Sequence, residues 1–303
     1  MNQKTRTIVL SLTLSALFFN QTQAQYNYTT VSVPGAADTY ATAISDNDIV
    51  GYYWNGSTSQ GFLYDGSSYT TLSVPGALET RAYGISGGNI VGYYNNGSID
   101  QGFLYDGSGY TSLNVPGAIW TRAQGIFGND IVGYYETSSG SEYGFLYNGS
   151  SYTTLSVPGA PGGTVAYGIS DNNIVGSYWN GVWCGFLYDG SSYSTLIPPG
   201  AIDTEASGVS GNVIVGSYEN SSTWYGFLYN GGSYTTLNIP GAIATEASGI
   251  SGNKIVGYSQ DSSGTVEGFL ATPVPEPITL ALAGLGAGAL MAFGRRHHLV
   301  VHK

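Results

Sequence analysis

The sequence predicts an all-β protein, a six-bladed β-propeller, on three observations. One motif is written six times: GFL starts at Gly61, Gly102, Gly144, Gly185, Gly226 and Gly268, at spacings of 41, 42, 41, 41 and 42 residues. Each unit holds four short runs of strand-forming residues parted by turn signals, as in a four-stranded blade. The composition agrees: with 46 Gly among 303 residues and 14% aromatics, the chain is too apolar for disorder and too Gly-rich for helices.

Within a unit the elements follow in order. The first strand, residues 80–86 in the second unit, is built of small side chains that can crowd round a central axis. A tight turn follows, Asp46-Asn47 in one unit and Gly87-Gly88 in the next, pairs that tolerate the positive φ of two-residue hairpins. The second strand carries IVGYY and the third GFLY, apolar on both faces as expected of strands packed between two other blades. Asp-Gly or Asn-Gly then turns into YTTLSV, whose Thr and Ser suit an exposed outer edge, and Pro-Gly ends the unit. The chain ends complete the ring. Residues 28–33 read as a fourth strand with no third before it, and residues 268–270 as a third with no fourth after it. A closing blade from residues 26–34 and 241–272 uses both edges. The alternative, an open β-solenoid, would want distinct capping repeats, and none is visible.

The two ends read as addresses. Residues 1–24 form a secretory signal: Lys4 and Arg6 are basic, residues 8–19 are apolar, and Thr22 and Ala24 are the small residues before a cut at Gln25. The alternative is an uncleaved anchor, for which twelve apolar residues are too few to cross a bilayer. Residues 273–277 are a linker containing Pro275, Glu276 and Pro277. Residues 278–296 read as a transmembrane helix with a basic tail, Arg295-Arg296, and residues 297–303 as a cytoplasmic tail. Its apolar part, residues 278–293, would rise about 24 Å as a helix. This order resembles the PEP-CTERM sorting signal. The resemblance implies a Gram-negative exporter, an exosortase-type processing enzyme as partner, and a membrane anchor before processing. A plain C-terminal anchor is the alternative.

The domain between, residues 25–272, holds the function. Up to Pro277 it has three basic residues, Arg81, Arg122 and Lys254, against all 19 acids, a formal charge of 3 − 19 = −16. That excludes nucleic acid as a partner. All three histidines, His297, His298 and His302, lie beyond it, which excludes His-based triads and His-ligated metals. One cysteine, Cys184, excludes an intrachain disulfide and reads as a buried thiol. No cofactor is expected. Ca²⁺ at the Asp-Gly turns of Asp65, Asp106 and Asp189, or at Asp46 and Asp48, is a weak signal that hairpin chemistry already explains. The GFLY, YTTL, PGA and IVGYY series resembles the HAF-type repeats of extracellular bacterial proteins over about 245 residues. The His of that name is not matched: Gln60, Gln101, Tyr143, Cys184, Tyr225 and Glu267 stand in its place. The resemblance implies architecture and location and no activity.

Positions shared by all six units read as structural, including the Phe of GFLY, the Gly of IVG and most of the 26 tyrosines. A sugar-stacking role for the tyrosines is the alternative. Departures are more informative. The residue after the Thr that opens each first strand is Tyr40, Arg81, Arg122, Val165, Glu205 and Glu246 in turn. In a six-fold ring the two arginines face the two glutamates near one channel mouth, with Asp38, Glu79, Trp120 and Asp203 in the preceding loops. Two readings stand: scattered surface charge, or a pocket for a small ligand or glycan, with Arg81, Arg122, Glu205 and Glu246 as polar contacts and Trp120 as a stacking face. The chain is therefore expected to be a secreted or cell-surface, non-enzymatic, monomeric component of a matrix, with extracellular polysaccharide as partner. A carboxylate-dependent glycan-active enzyme or a lectin-like binder at the channel mouth is the alternative.

Overall fold

The computed structural model describes residues 26–274, and every regular element in it is a β-strand. The predicted signal segment, the sorting helix and Pro275, Glu276 and Pro277 lie outside the described residues. Strand β1 (Tyr26–Val31) comes first. Blade one is β2 (Asp38–Ser45), β3 (Asp48–Trp54), β4 (Ser59–Tyr64) and β5 (Tyr69–Leu72). Blade two is β6 (Glu79–Ser86), β7 (Asn89–Asn95), β8 (Asp100–Tyr105) and β9 (Tyr110–Leu113). Blade three is β10 (Trp120–Phe127), β11 (Asp130–Glu136), β12 (Glu142–Tyr147) and β13 (Tyr152–Leu155). Blade four is β14 (Thr164–Ser170), β15 (Asn173–Trp179), β16 (Trp183–Tyr188) and β17 (Tyr193–Leu196). Blade five is β18 (Thr204–Ser210), β19 (Val213–Asn220), β20 (Thr223–Tyr229) and β21 (Tyr234–Leu237). Blade six joins β22 (Ala244–Ser251), β23 (Lys254–Gln260) and β24 (Val266–Pro273) to β1.

The protein is thus an all-β six-bladed propeller, each blade a four-stranded antiparallel sheet. The fourth strand of blade six comes from the start of the chain, in register from Tyr26 opposite Pro273 to Val31 opposite Gly268. In blades one to five the fourth strand is shorter than YTTLSV suggests, four residues ending at the buried Leu. Pro at the end of that motif removes a ladder donor and turns the chain toward the next blade.

The core lies between blades. In one interface Val50, Leu72 and Val74 of blade one pack on Ala82, Ile85, Ile90 and Phe103 of blade two. The same positions recur round the ring, and the last interface sets Val31 and Val256 against Ala41, Ile44, Ile49 and Phe62 of blade one. Five of the six GFL phenylalanines are wholly buried and the sixth, Phe269, is 2% exposed. Five of the six interfaces also have a polar clasp at the opening Thr. Thr80 Oγ1 accepts from the Val74 N–H at 3.0 Å and Thr121 Oγ1 from Val115 at 3.1 Å. Blade five carries Pro198 at the donor position, which has no N–H to give.

Two glycine positions set the inner geometry. A Cβ on the IVG glycine, as at Gly133, would collide with the Arg122 carbonyl oxygen and the Phe145 ring. Nearer the axis, a Cβ on Gly125 would meet the Tyr167 oxygen at 2.6 Å and Gly168 Cα at 3.1 Å. Six backbones therefore converge in a collar of five glycines and, in blade one, the small Ala43.

The strand directions define two faces. Hairpins such as Ser251–Lys254 mark one face, and Ala271 pairs with Ile255 just beyond that hairpin. Tyr26 and Pro273 pair two residues further on, so the described chain starts and ends on the hairpin face. The loops that precede the innermost strands lie on the opposite face.

Candidate functional site

The site is built by a repeated irregularity. Between Ala41 and Ala43 the register of β2 against β3 slips by one residue, and the same slip occurs in the other five blades. Plain alternation would put Tyr40, Thr42 and Ile44 on one face. The bulge instead lets Ala41 and Ile44 enter the inter-blade core while the extra residue faces the channel. The six bulge residues are Thr42, Tyr83, Gln124, Tyr167, Ser207 and Ser248. Above them lies the ring identified in the sequence, Tyr40, Arg81, Arg122, Val165, Glu205 and Glu246. Beside that ring stands the first residue after IVG, paired across the ladder: Tyr52, Tyr93, Tyr134, Ser177, Ser217 and Tyr258.

These layers enclose a cavity of about 160 Å³ on the axis. Its walls are Tyr52, Tyr83, Tyr167, Tyr258 and the carboxylates of Glu205 and Glu246, with Thr42, Gln124, Ser207 and Ser248 below. The two predicted glutamates are therefore brought together. The predicted arginines and Trp120 do not line this cavity. Arg81 lines a shallower hollow with Asp38, Tyr40, Tyr52, Trp54 and Ser59.

Both arginines are half-buried and locally partnered, and neither pairs with a glutamate across the ring. Arg81 bonds Glu79 at 3.3 Å and lies over the Tyr52 ring, 4.9 Å from its centroid. Arg122 donates from Nε to Asp100 at 2.8 Å and from Nη1 to the Tyr134 hydroxyl at 3.1 Å. Its guanidinium sits between the rings of Tyr93 and Trp120, 4.7 and 4.9 Å from their centroids. Trp120 in turn donates its indole N–H to Glu136 at 2.9 Å. One face of Trp120 is thus already covered by Arg122. The loop acids have structural work as well: Asp38 accepts from the Val266 N–H at 2.9 Å and Asp203 from the Trp183 N–H at 2.7 Å, each tying an innermost strand to the preceding blade.

Asp203→Ala is expected to lower stability by about 1 kcal/mol, the usual worth of such a bond. In a domain of this size that is a fall of roughly 2–4 °C in the thermal midpoint. An unchanged midpoint would remove the inter-blade role of Asp203.

Glu205 lines the cavity and is half-buried. Burial, the neighbouring Glu246 and Asp203 together push its carboxyl up to about 7. Burial also raises Glu246, opposed by the Tyr258 hydroxyl, which donates to Glu246 Oε2 at 2.6 Å. Tyr83 and Tyr167, buried against the same space, are pushed well above the usual phenol range. The turn aspartates behave oppositely. Asp65 Oδ1 accepts from the N–H groups of Ser67 and Ser68 at 2.8 and 2.7 Å, which holds its carboxyl well below the usual range. Those oxygens serve the turn, and among the described residues no three acidic, Cys or His side chains cluster as metal ligands. The outer tyrosines stack in pairs, Tyr64 on Tyr69 at 4.5 Å, with Tyr69 edge-on to Phe62. Cys184 is buried and free, with its thiol pushed up by burial.

Sequence reasoning found one ring of the site and missed two. The bulge residues escaped because a single-residue slip leaves no compositional mark. The Tyr/Ser ring had a visible signal: IVGYY becomes IVGSY at Ser177 and Ser217, a second ordered departure.

Residues 273–296 match the PEP-CTERM protein-sorting motif. The chain carries an exosortase-type processing signal, which implies export and sorting to the bacterial cell surface. The match begins at Pro273, the last residue of β24, and so leaves from the hairpin face. It lies outside the repeats and carries nothing about the HAF-type resemblance. No protein of curated function matches the chain. Among solved structures, a mutant Aleuria aurantia lectin in complex with alpha-methyl-L-fucoside is similar, with 16% identity and a TM-score of 0.51. That likeness covers 82% of this chain and 99% of that one. The SapL1 lectin in complex with alpha methyl fucoside is 14% identical with a TM-score of 0.53, covering 80% of this chain and 98% of that one. At such identities the likeness shows the fold.

Proposed function

We propose that this is a non-enzymatic surface protein of a Gram-negative bacterium, monomeric, which holds extracellular polysaccharide through its channel mouth. The observation that carries the reading is the placement of the two ends. The sorting segment leaves from the hairpin face, while the cavity of Glu205, Glu246 and the tyrosines is built from the ends of the innermost strands nearer the opposite face. A propeller tethered by its sorting helix would present that mouth away from the membrane. Aromatic walls with a few convergent polar groups suit a sugar, whose rings offer apolar faces and whose hydroxyls need partners. The two lectins named above carry fucosides on the same architecture, which supports the reading by analogy of fold alone.

The sorting half of the reading is tested at Glu276. Glu276→Ala is expected to leave the chain in the membrane fraction while the parent is released or transferred outside. Equal release of both would leave an ordinary anchor. The binding half is tested with purified exopolysaccharide: the parent is expected to bind, and Glu205→Gln, Glu246→Gln to bind at least tenfold more weakly.

A second reading has one specific support. Glu205 is poised near neutrality while the adjacent Glu246 is held by Tyr258, the kind of split environment that separates a general acid from an ionised carboxylate. A hydrolysis assay against the same polysaccharide decides it: activity lost in Glu205→Gln supports the enzyme, and intact polymer after long incubation with the parent rejects it.

A further inference from the structure

The charge bookkeeping round the cavity does not close. Glu205 and Glu246 project from adjacent innermost strands into one enclosed space. Tyr258 is the hydroxyl that reaches Glu246, and no donor among the described residues reaches Glu205. The described residues contain three basic side chains, and all are engaged elsewhere. Arg81 is held by Glu79, Arg122 by Asp100, and Lys254 by the Asp46 carbonyl at 3.1 Å on the hairpin face. Two half-buried carboxylates that line one cavity are partly desolvated and repel each other, so a cation between them is favoured. This pair has no protein counter-ion.

We infer that the axial cavity is a binding site for a small organic ammonium group, with Glu205 and Glu246 as its anionic partners and the rings of Tyr83, Tyr167 and Tyr258 as its walls. The inference rests on the channel being the binding site and names the chemistry of its ligand. The lining selects among cations. A hard divalent metal wants six to eight oxygen ligands and favours charged ones, whereas this space sets two carboxylates among four aromatic rings, with the neutral oxygens of Thr42, Gln124, Ser207 and Ser248 below. An ammonium carried on a carbon skeleton donates charge-assisted hydrogen bonds to the carboxylates and lays its methylenes on the rings. The remaining ring faces fit that division. Tyr52 is stacked on Tyr40 at 4.6 Å on one side and covered by Arg81 on the other, so it is spent. Tyr83 stacks on Tyr93 on one side, and Tyr258 meets Tyr40 edge-on. Size fits too: about 160 Å³ is roughly ten times the space that holds one water. An amino sugar meets every one of these conditions, and a free quaternary amine meets most.

The inference places the ligand on the two glutamates and leaves out Arg81 and Arg122, which are held by Glu79 and Asp100. It also fixes a pH dependence. Glu205 is faced by Glu246 and Tyr258 of blade six, Tyr167 of blade four and its own neighbour Asp203, and it gains its charge as pH rises through neutrality.

The test is titration calorimetry of the mature propeller with glucosamine, choline, N-acetylglucosamine, glucuronate and CaCl₂. Glucosamine and choline are expected to bind, with salt weakening both, and choline, whose charge does not titrate, at least tenfold tighter at pH 8 than at pH 5.5. Glu205→Gln, Glu246→Gln should lose at least tenfold, while Arg81→Lys should bind as the parent does. Calcium binding without amine binding would overturn the inference in favour of a metal. N-acetylglucosamine binding as tightly as glucosamine would overturn the ammonium and leave the glycan reading intact. Choline binding with no affinity for any sugar or for purified exopolysaccharide would keep the ammonium site and remove the glycan reading.

Discussion

Removal of residues 26–34 from the mature chain is expected to abolish the closed propeller. Strand β1 is the outer strand of blade six, paired with β24 along its whole length. Without it β24 becomes a long unpaired edge, and such edges recruit other chains. The loss reaches further than the ladder. Val31 is 2% exposed and, with Val256, forms the blade-six side of the interface that receives Phe62 and Ile49. Tyr28 lies edge-on to Phe269 at 5.6 Å, so the core on the other side of blade six loses a wall as well. Val33, whose N–H bonds Thr39 Oγ1, goes with the deleted segment. Burial of one Val contributes about 1.5–3 kcal/mol, and the lost ladder and tyrosines bring the total near the whole stability of an ordinary domain. Size-exclusion chromatography should show association, and thermal melting a midpoint lowered by more than about 10 °C. A synthetic peptide of residues 26–34 added in trans should restore the monomer. A truncated chain that stays monomeric and melts with the parent would mean that the ring does not depend on its closing strand.

Much of this architecture was legible because repetition makes a sequence its own comparison. The spacing of Gly61, Gly102 and their fellows gives the blade count, and the orphan strands at the two ends give the closure. The turn pairs gave the hairpins: Asp46 and Gly87 both adopt positive φ, 56° and 58°. What alternation could not give was the bulge. A slipped register depends on the hydrogen bonds between β2 and β3, which a hydrophobic pattern does not encode. Six site residues were hidden for that reason. The partners of Arg122 were hidden for another: Asp100 is 22 residues away on the preceding blade, and only the curvature of the ring sets the two side by side. Reading Arg81 and Arg122 as free surface charge therefore overstated what they offer an anion. Glu205 and Glu246 stood out in the sequence because that position departs from the repeat in an ordered way.

Glu205→Gln is expected to stabilise the unliganded propeller at pH 8 and to leave it nearly unchanged at pH 4.5. The carboxyl is raised from about 4.5 in the unfolded chain to about 7 in the folded one. A raised acid binds its proton more tightly when folded. Its contribution is therefore fully present below pH 4.5 and is lost as pH rises through 7, where the buried group must ionise. Glu246 is raised in the same direction and widens the same window. The shift corresponds to at most about 3 kcal/mol, and water in the cavity screens part of it, so about 1–3 kcal/mol is the expected gain for the neutral glutamine at pH 8. The turn aspartates do not blur the reading. Asp65 and Asp189 are lowered, so their contribution is lost only in strong acid, well below this window. Calorimetric melts of parent and variant from pH 4.5 to 8.5 should diverge steadily, reaching a difference of roughly 2–10 °C at the alkaline end. Asp203→Asn should give a smaller divergence of the same sign, since it removes one of the charges that repel Glu205 while keeping an acceptor for Trp183. Parallel melting curves across the range would show that Glu205 titrates as an ordinary solvated carboxylate, and the charged, enclosed cavity would have to be abandoned with it.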